Sequence, residues 1–596
     1  MNNKKLLLVL LVALILLCCL LLTACMTNEE FNYYILDDGT CMISQYNGKK
    51  TKVIIPSEIG GRTVTGLGYG AFAVIDGDEN ANIHKAITDI IIPDSVTSIG
   101  LNTFSGCSSL TNITIPDAIV SIGPEAFYGC DNLAFNVKDN VKYLGNEKNK
   151  NVVAMGVISK DVEDIKLADT CKVIFSRAFA DCNNLKKINF SNAERSIGKQ
   201  AFLNCSQLNE LVIPDSVLHL DVDILSGCSK LESLSSPFLG QKEIEDASYC
   251  PVLGYLFGQT PYNGGVATRQ DFNGGEVDYY IPACLNTVSI TGGKRVGVGA
   301  FENCTNIVSV ILSDTIEEIQ ESAFWGCTSL KNVKFSNRLE KIGLSAFAGC
   351  TSITNLTLPN SLKEIGGGAF SSCKSLSEII IPNSVTTIGE SAFIWCQALK
   401  NVTLSDSIVT IGEGVFSVCG SLVYNEKDNV RYLGSSTNAY LMAMGVVDKN
   451  QSEIVIDNNC KFIHKEAFLL AGFTSASISE NVVFIDSRAF AGTRVTTLTI
   501  PDSVKNICGD AFYGCEDLTQ LILGSGIKRI GAYSVDHCSK LEGIFYKGTK
   551  EDREQIDFTY QNEDILGKTW YYYSEEPPAD TTNNYWHYVD GVVTIW

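Results

Sequence analysis

The sequence predicts an elongated, right-handed solenoid of stacked ~23-residue coils. It would be α/β in class but strand-rich with short helical turns, with a parallel sheet, hairpin insertions and a cap at each end. Three observations predict it. The chain has 596 residues, far beyond the roughly 100–200 of one compact domain. Ile92-Pro-Asp-Ser-Val-Thr-Ser-Ile-Gly-Leu-Asn-Thr-Phe-Ser-Gly-Cys107 superposes on Ile115-Pro-Asp-Ala-Ile-Val-Ser-Ile-Gly-Pro-Glu-Ala-Phe-Tyr-Gly-Cys130 with a shift of 23. The same shift separates Cys182, Cys205 and Cys228, then Cys304, Cys327, Cys350, Cys373, Cys396 and Cys419, then Cys515 and Cys538, so thirteen cysteines share one repeat position.

Each element of a coil follows from its residues. Leu399-Lys-Asn-Val402-Thr-Leu404 alternates apolar and polar, the pattern of a short half-buried strand. Val385-Thr-Thr-Ile388 supplies a second extended piece, after which Gly389 permits a sharp bend. Glu390-Ser-Ala392-Phe393-Ile-Trp-Cys396 has the spacing of one helical turn, with Ala392, Phe393 and Cys396 inward. One coil buries too few side chains to offset the ordering of its backbone, so coils must stack, with parallel strands about 4.8 Å apart.

The period divides the chain into a leader (1–24), a tether (25–30), an N-terminal hairpin cap (31–57), repeats (58–546) and an aromatic C-terminal cap (547–596). Islands interrupt the repeats near 131–168, 231–283 and 420–457. Asp139-Asn-Val-Lys-Tyr-Leu-Gly145 recurs as Asp428-Asn-Val-Arg-Tyr-Leu-Gly434, and Cys171 as Cys460, always at an offset of 289, which points to duplication of a multi-coil block. Each of these two islands reads as a hairpin projecting from its coil. The third is rich in Gly and Tyr and contains Gly254-Tyr-Leu-Phe-Gly258. Islands either mark a binding face or merely cover an edge.

Chemistry is sparse. A net charge of −21 repels phosphate backbones and excludes nucleic acid as a partner. The histidines His84, His219, His464, His537 and His587 form no H-E-x-x-H or zinc spacing, and G-x-S-x-G and P-loop motifs are absent. No enzymatic activity, cofactor or metal is therefore expected. Gly66-Leu-Gly68-Tyr-Gly70 aligns with the repeat's own turn. The cysteines read as a packing ladder of buried thiols, because they stand one coil apart and point the same way. Disulfides elsewhere, at Cys250 or Cys284, stay open.

The leader runs Lys4-Lys5, then an apolar stretch from Leu6 to Leu22, then Leu22-Thr23-Ala24-Cys25. Small residues before a cysteine resemble a lipobox, which implies a signal peptide, lipidation of Cys25 and export to the outer face of a bacterial membrane. An uncleaved anchor and a soluble secreted chain are the alternatives. The tract Ile381-Pro-Asn-Ser-Val-Thr-Thr-Ile-Gly-Glu-Ser-Ala-Phe393 with Cys396 resembles the BspA-like leucine-rich repeats of bacterial cell surfaces. That resemblance covers most of the chain, and implies a leucine-rich repeat solenoid and adhesion to host matrix proteins or other cells.

A binding surface can be placed by register. The outward residue of each strand is Thr114, Asn189, Val212, Ile311, Lys334, Thr357, Ile380, Thr403, Thr499, Ile522 or Phe545. Together they form a long, mildly polar face suited to an extended protein or glycan, although Thr and Ile also favour strands for their own sake. Ile380, Ile522 and Phe545 are the suggestive members if exposed. Trp570, Tyr585, Trp586 and Tyr588 form either an aromatic platform for sugar rings or the cover of the last coil, and the cover is favoured because the stack must end. The functional expectation is a monomeric, membrane-anchored surface scaffold for protein interaction and adhesion. A glycan- or peptide-capturing lipoprotein and an envelope spacer are the alternatives.

Overall fold

The computed structural model describes residues 26–27, 30–75, 77–242, 251–579 and 582–596. The expected signal peptide and Cys25 lie outside them. The chain forms two compact units, 1–293 and 294–596. Each is a solenoid of parallel stacked coils. Two strand series recur, one of short face strands and one of two-residue corner strands ending in Ile or its equivalent.

In the second unit the 23-residue period becomes pairing register. Glu378, Ile379 and Ile380 pair with Asn401, Val402 and Thr403 on the face, while Thr387 and Ile388 pair with Thr410 and Ile411 at the corner. Because every coil lies over its neighbour in register, like side chains stack. The rings of Phe301, Phe324, Phe347, Phe370, Phe393 and Phe416 are spaced 4.9, 4.8, 5.4, 5.2 and 5.4 Å apart and lie within 13° of coplanar. That is the separation of paired strands carried into the core. In the first unit Phe179 and Phe202 stack in the same way at 5.7 Å.

Two local expectations are corrected. The segment from Glu390 to Cys396 is not helical but a run of tight turns, with Ser391 and Trp395 in the left-handed region at φ of 56° and 64°. Alternate N–H groups leave the segment for the next coil: Ser391, Phe393 and Trp395 donate to the carbonyls of Glu413, Val415 and Ser417 at 2.8, 2.9 and 3.1 Å. A helical turn would spend those donors internally and leave this side of the stack unladdered. The inward side chains are as expected, with Ala392, Phe393 and Cys396 fully buried. Gly389, for its part, is not left-handed. A Cβ on it would lie 2.3 Å from the Gly367 nitrogen, so close approach of the neighbouring coil, not a bend, demands glycine there.

The two duplicated islands are woven into the ladders rather than projecting from them. In the first unit Val141–Leu144 and Val153–Val157 form an antiparallel hairpin whose second strand pairs in parallel with Val173–Ile174. In the second, Val430–Ser435 pairs with the face strand Asn401–Leu404, and its hairpin partner Met442–Val446 pairs with the corner strand Phe462–Ile463. One hairpin thus transfers the chain between strand series. The duplication extends to hydrogen bonds, since Ala168 N–H donates to Tyr143 Oη and Asp457 N–H to Tyr432 Oη, both at 3.0 Å. The island of 231–283 carries the eight-residue hairpin strands Gly265–Phe272 and Gly275–Pro282. Its Gly254 packs beneath Tyr279 and donates to Gln270 Oε1 at 2.8 Å.

At the N-terminus the hairpin of Phe31–Ile35 and Cys41–Tyr46 lays its second strand parallel to Arg62–Leu67. A short helix, Ala81–Ala86, places the buried His84 ring against the carbonyls of Ala73 and Tyr46, at 2.7 and 2.8 Å.

One core position departs from the repeat. Glu194 stands where the previous coil carries Cys171 and the next Val217, and it is fully buried. Its Oε1 accepts from the Ser191 N–H and hydroxyl, both at 2.9 Å, but Oε2 has no partner. An unsatisfied buried polar atom costs about 1–3 kcal/mol. Glu194→Val is therefore expected to stabilise the first unit by about that amount, read as a higher chemical-denaturation midpoint; a lower midpoint would show that the Ser191 contacts outweigh the orphaned oxygen.

Candidate functional site

The expected binding face divides into an exposed part and a covered part. Asn189, Val212, Ile311, Lys334, Thr357 and Ile380 are exposed, and Thr114, Thr403 and Thr499 are half-buried. Ile380 is 66% and Val212 55% exposed, large values for apolar side chains held on a strand. Ile522 and Phe545 are instead buried, which corrects the expectation that they face solvent. The C-terminal segment covers them: Thr569–Tyr573 extends the sheet, Asn584–Val589 pairs with it, and Val592–Ile595 folds back antiparallel. Trp586 packs on Ile522 and Phe545 and donates its Nε1–H to the Tyr546 carbonyl at 3.1 Å.

The aromatic residues of this segment therefore do not all share one face, although Tyr573, Trp586 and Tyr588 cluster with ring centroids 5.2, 6.3 and 5.0 Å apart. Trp586 is fully buried on the outer face, whereas Trp570 is buried with the core cluster on the other side of the sheet. Trp570 donates to the Ile565 carbonyl at 3.1 Å beneath the Arg553 guanidinium. Tyr585 is half-buried and Tyr588 exposed. Strand alternation sends neighbouring rings to opposite faces, so the dense run of aromatics covers both.

The repeat cysteines do more than fill space. Most of these thiols donate to the carbonyl of the equivalent Phe one coil earlier: Cys327 to Phe301 at 3.0 Å, Cys350 to Phe324 at 3.2 Å, Cys373 to Phe347 at 3.3 Å, Cys396 to Phe370 at 3.2 Å and Cys419 to Phe393 at 3.1 Å. The first unit repeats this with Cys205 to Phe179 and Cys228 to Phe202. Burial pushes the Cys130 and Cys373 thiols up to about 12 and Cys419 to about 11. Among the described residues no cysteine forms a disulfide, and Cys284, half-buried, donates to the Ser229 and Leu231 carbonyls. Cys250 lies outside the described residues.

Chemistry concentrates instead where the island of 420–457 interrupts the second unit. In the regular stack the Ser391 and Phe393 N–H groups bond to the next coil's carbonyls. One coil later the equivalent donors, Gly414 and Phe416, meet side chains: Asp486 Oδ2 at 2.8 Å and His464 Nε2 at 3.2 Å. His464 Nδ1–H donates to the Lys465 carbonyl at 3.0 Å, leaving Nε2 as the acceptor. Burial lowers its pKa to about 4, which keeps it neutral for that role, and raises Asp486 to about 6. Sequence reading missed these residues, together with Glu413 and Cys508 beside them. The signal was available in register, because His464, Asp486 and Cys508 occupy the glycine position of Gly389 in three successive coils.

A model described as the BspA type leucine rich repeat region, in six copies, matches residues 78–152, 158–250, 294–423 and 447–562. No curated protein matches the chain. Among solved structures it is similar to a leucine-rich repeat protein of Bacteroides ovatus (20% identity, 90% of this chain and 99% of that one, TM-score 0.28). It is also similar to a leucine rich cell surface protein of Faecalibacterium prausnitzii (25%, 64% and 94%, TM-score 0.23) and to the pneumococcal vaccine antigen PcpA (15%, 90% and 99%, TM-score 0.21). Among the described residues no helix is long and apolar enough to cross a membrane.

Two measurements check the side-chain chemistry. At pH 8 the native Cys130 and Cys373 thiols are expected to react with a thiol reagent about a thousandfold more slowly than free cysteine, since burial pushes them up to about 12 and removes that much thiolate. Cys284 is expected to label first among the described cysteines, and rapid labelling of Cys373 in the folded chain would contradict the ladder. His464 has its folded pKa depressed, so the unfolded chain binds its proton first, and the stability present at neutral pH is lost as pH falls from 6.5 toward 4. Asp486 titrates with the opposite sign over an overlapping range, so the reading is a difference between proteins. Wild type is expected to lose about 2–3 kcal/mol more than His464→Gln between pH 7 and 4.5, measured by denaturation midpoints, and equal losses would refute a buried neutral His464.

Proposed function

The chain belongs to the BspA-type leucine-rich repeat family, whose repeats generally serve as protein-interaction scaffolds, and from that premise we propose that it is a surface lipoprotein that binds host matrix proteins or other cells through its strand face. One observation carries the reading: Val212, Ile311 and Ile380 hold apolar side chains outward on strands whose other outward residues are Glu210, Ser309 and Glu378. Isolated apolar residues on a surface mean little. Held outward at strand register, Val212 in the first unit and Ile311 and Ile380 in the second offer an extended partner apolar contacts without a pocket, as a protein–protein interface does.

Cys25 supplies the anchor in this proposal, through acylation after removal of residues 1–24. Burial of Trp570 and Trp586 counts against the alternative in which the C-terminal aromatics capture glycans.

The test is binding of cells displaying the intact chain to immobilised fibronectin, fibrinogen and neighbouring bacteria. Val212→Glu and Ile380→Glu are expected to weaken capture tenfold or more without changing the thermal unfolding midpoint, and Cys25→Ala to release the chain from the cell. Capture indifferent to both face substitutions would remove the strand face from the proposal; no capture by any of these partners would remove adhesion.

A further inference from the structure

We propose that Glu413, Asp486 and Cys508 form a zinc site that clasps the second unit across the seam left by the island of 420–457. The three side chains come from three coils, and their ligand atoms all lie within 4.8 Å of one another. Asp486 is 1% and Cys508 7% exposed, and Glu413 is half-buried. A cleft of about 440 Å3 reaches Glu413 and Cys508 between the corner strands Thr410–Ile411 and Asn506–Ile507.

Three independent features single out this cluster. The first is composition by register. The position after the corner isoleucine is glycine in Gly100, Gly123, Gly343, Gly366, Gly389 and Gly412, where the neighbouring backbone leaves little room for a Cβ. In the three coils that flank the seam it is His464, Asp486 and Cys508, all residues that ligate metals. His464 Nε2 accepts from Phe416 N–H and Asp486 Oδ2 from the Gly414 and Lys465 N–H groups, so a cation would meet the remaining lone pairs of the Asp486 carboxylate, the Glu413 carboxylate and the Cys508 thiol.

The second is the thiol. Most ladder cysteines donate to a phenylalanine carbonyl, whereas the buried Cys508 turns its Sγ to the Glu413 carboxylate. The third is charge. Two carboxylates share this buried space, with Ser487 Oγ donating to Glu413 Oε2 at 2.7 Å and Ser487 N–H to Asp486 Oδ1 at 2.6 Å. Arg529, which lines the same cleft, is paired with Asp557 at 3.7 Å. A divalent cation neutralises both carboxylates without adding a side chain.

One thiolate and two carboxylate oxygens suit Zn2+, which takes four ligands and tolerates mixed sulfur and oxygen donors. Three come from the protein and the fourth position opens to the cleft, where water or a partner's side chain completes it. Binding displaces the Cys508 thiol proton to solvent, so affinity rises with pH.

The test uses the full chain stripped with a chelator and titrated with zinc chloride, with cobalt(II) as the spectroscopic probe. One equivalent of zinc is expected to bind and to raise the thermal midpoint, and cobalt to give a thiolate charge-transfer band in the near ultraviolet. Cys508→Gly installs the residue the repeat uses at this position, so the variant should fold while losing the cobalt band. Glu413→Gln should weaken zinc binding tenfold or more. Failure of the stripped chain to take up zinc overturns the site, as does zinc and cobalt binding unaltered in both variants.

Discussion

The constraint on which the structure depends is that every residue of a coil must be compatible with its own counterpart one strand spacing away. Ring separations of 4.8–5.4 Å along Phe301 to Phe416 are the core expression of it. A phenylalanine row satisfies it by face-on stacking, a cysteine row by donating S–H to the previous coil's carbonyl, and a glycine row by having no Cβ to collide. Because contacts join a coil chiefly to its neighbours, stability is local and cumulative, and both ends of a stack are places where backbone donors, acceptors and core lose their partners.

That cost explains the interruptions. At the C-terminus the sheet is extended by Thr569–Tyr573, and an antiparallel pair then folds Trp586 onto Ile522 and Phe545. At the seam after Thr410–Ile411 no coil follows in register, so the carboxylate of Asp486 and the imidazole of His464 supply the acceptors that carbonyls supply elsewhere. Closing the seam with side chains requires desolvating them, which is why one is shifted down and the other up in pKa.

Most of the fold was legible because a 23-residue period is a statement about register: once Cys304 and Cys327 share a position, so do the strands before them. What was not legible is conformation that many residue types can adopt when neighbours enforce it. The left-handed positions before the Ala-Phe and Cys sites hold Ser391, Trp395, Val418, Asn303 and Gly326 alike, so no residue type announces them, and the segment read as a helical turn. Gly389 was recognised as necessary for the wrong reason, since close approach between coils cannot be seen in one coil.

The face was legible by alternation, yet alternation says only which way a side chain points and not what later chain lies over it. Ile522 and Phe545 point outward, as their register requires, and are buried because the last fifty residues return across them. The same logic hid the seam. Glu413, Asp486 and Cys508 are separated by 73 and 22 residues, so linear spacing gives no motif. They stand out only when each coil is compared with the repeat and one asks why glycine, the usual residue where neighbouring backbones touch, has been given up in three consecutive turns. Phe175, Asp221 and Gln320 give it up singly; His464, Asp486 and Cys508 do so in succession, and with Glu413 the last two bring two carboxylates and a thiol together at the seam.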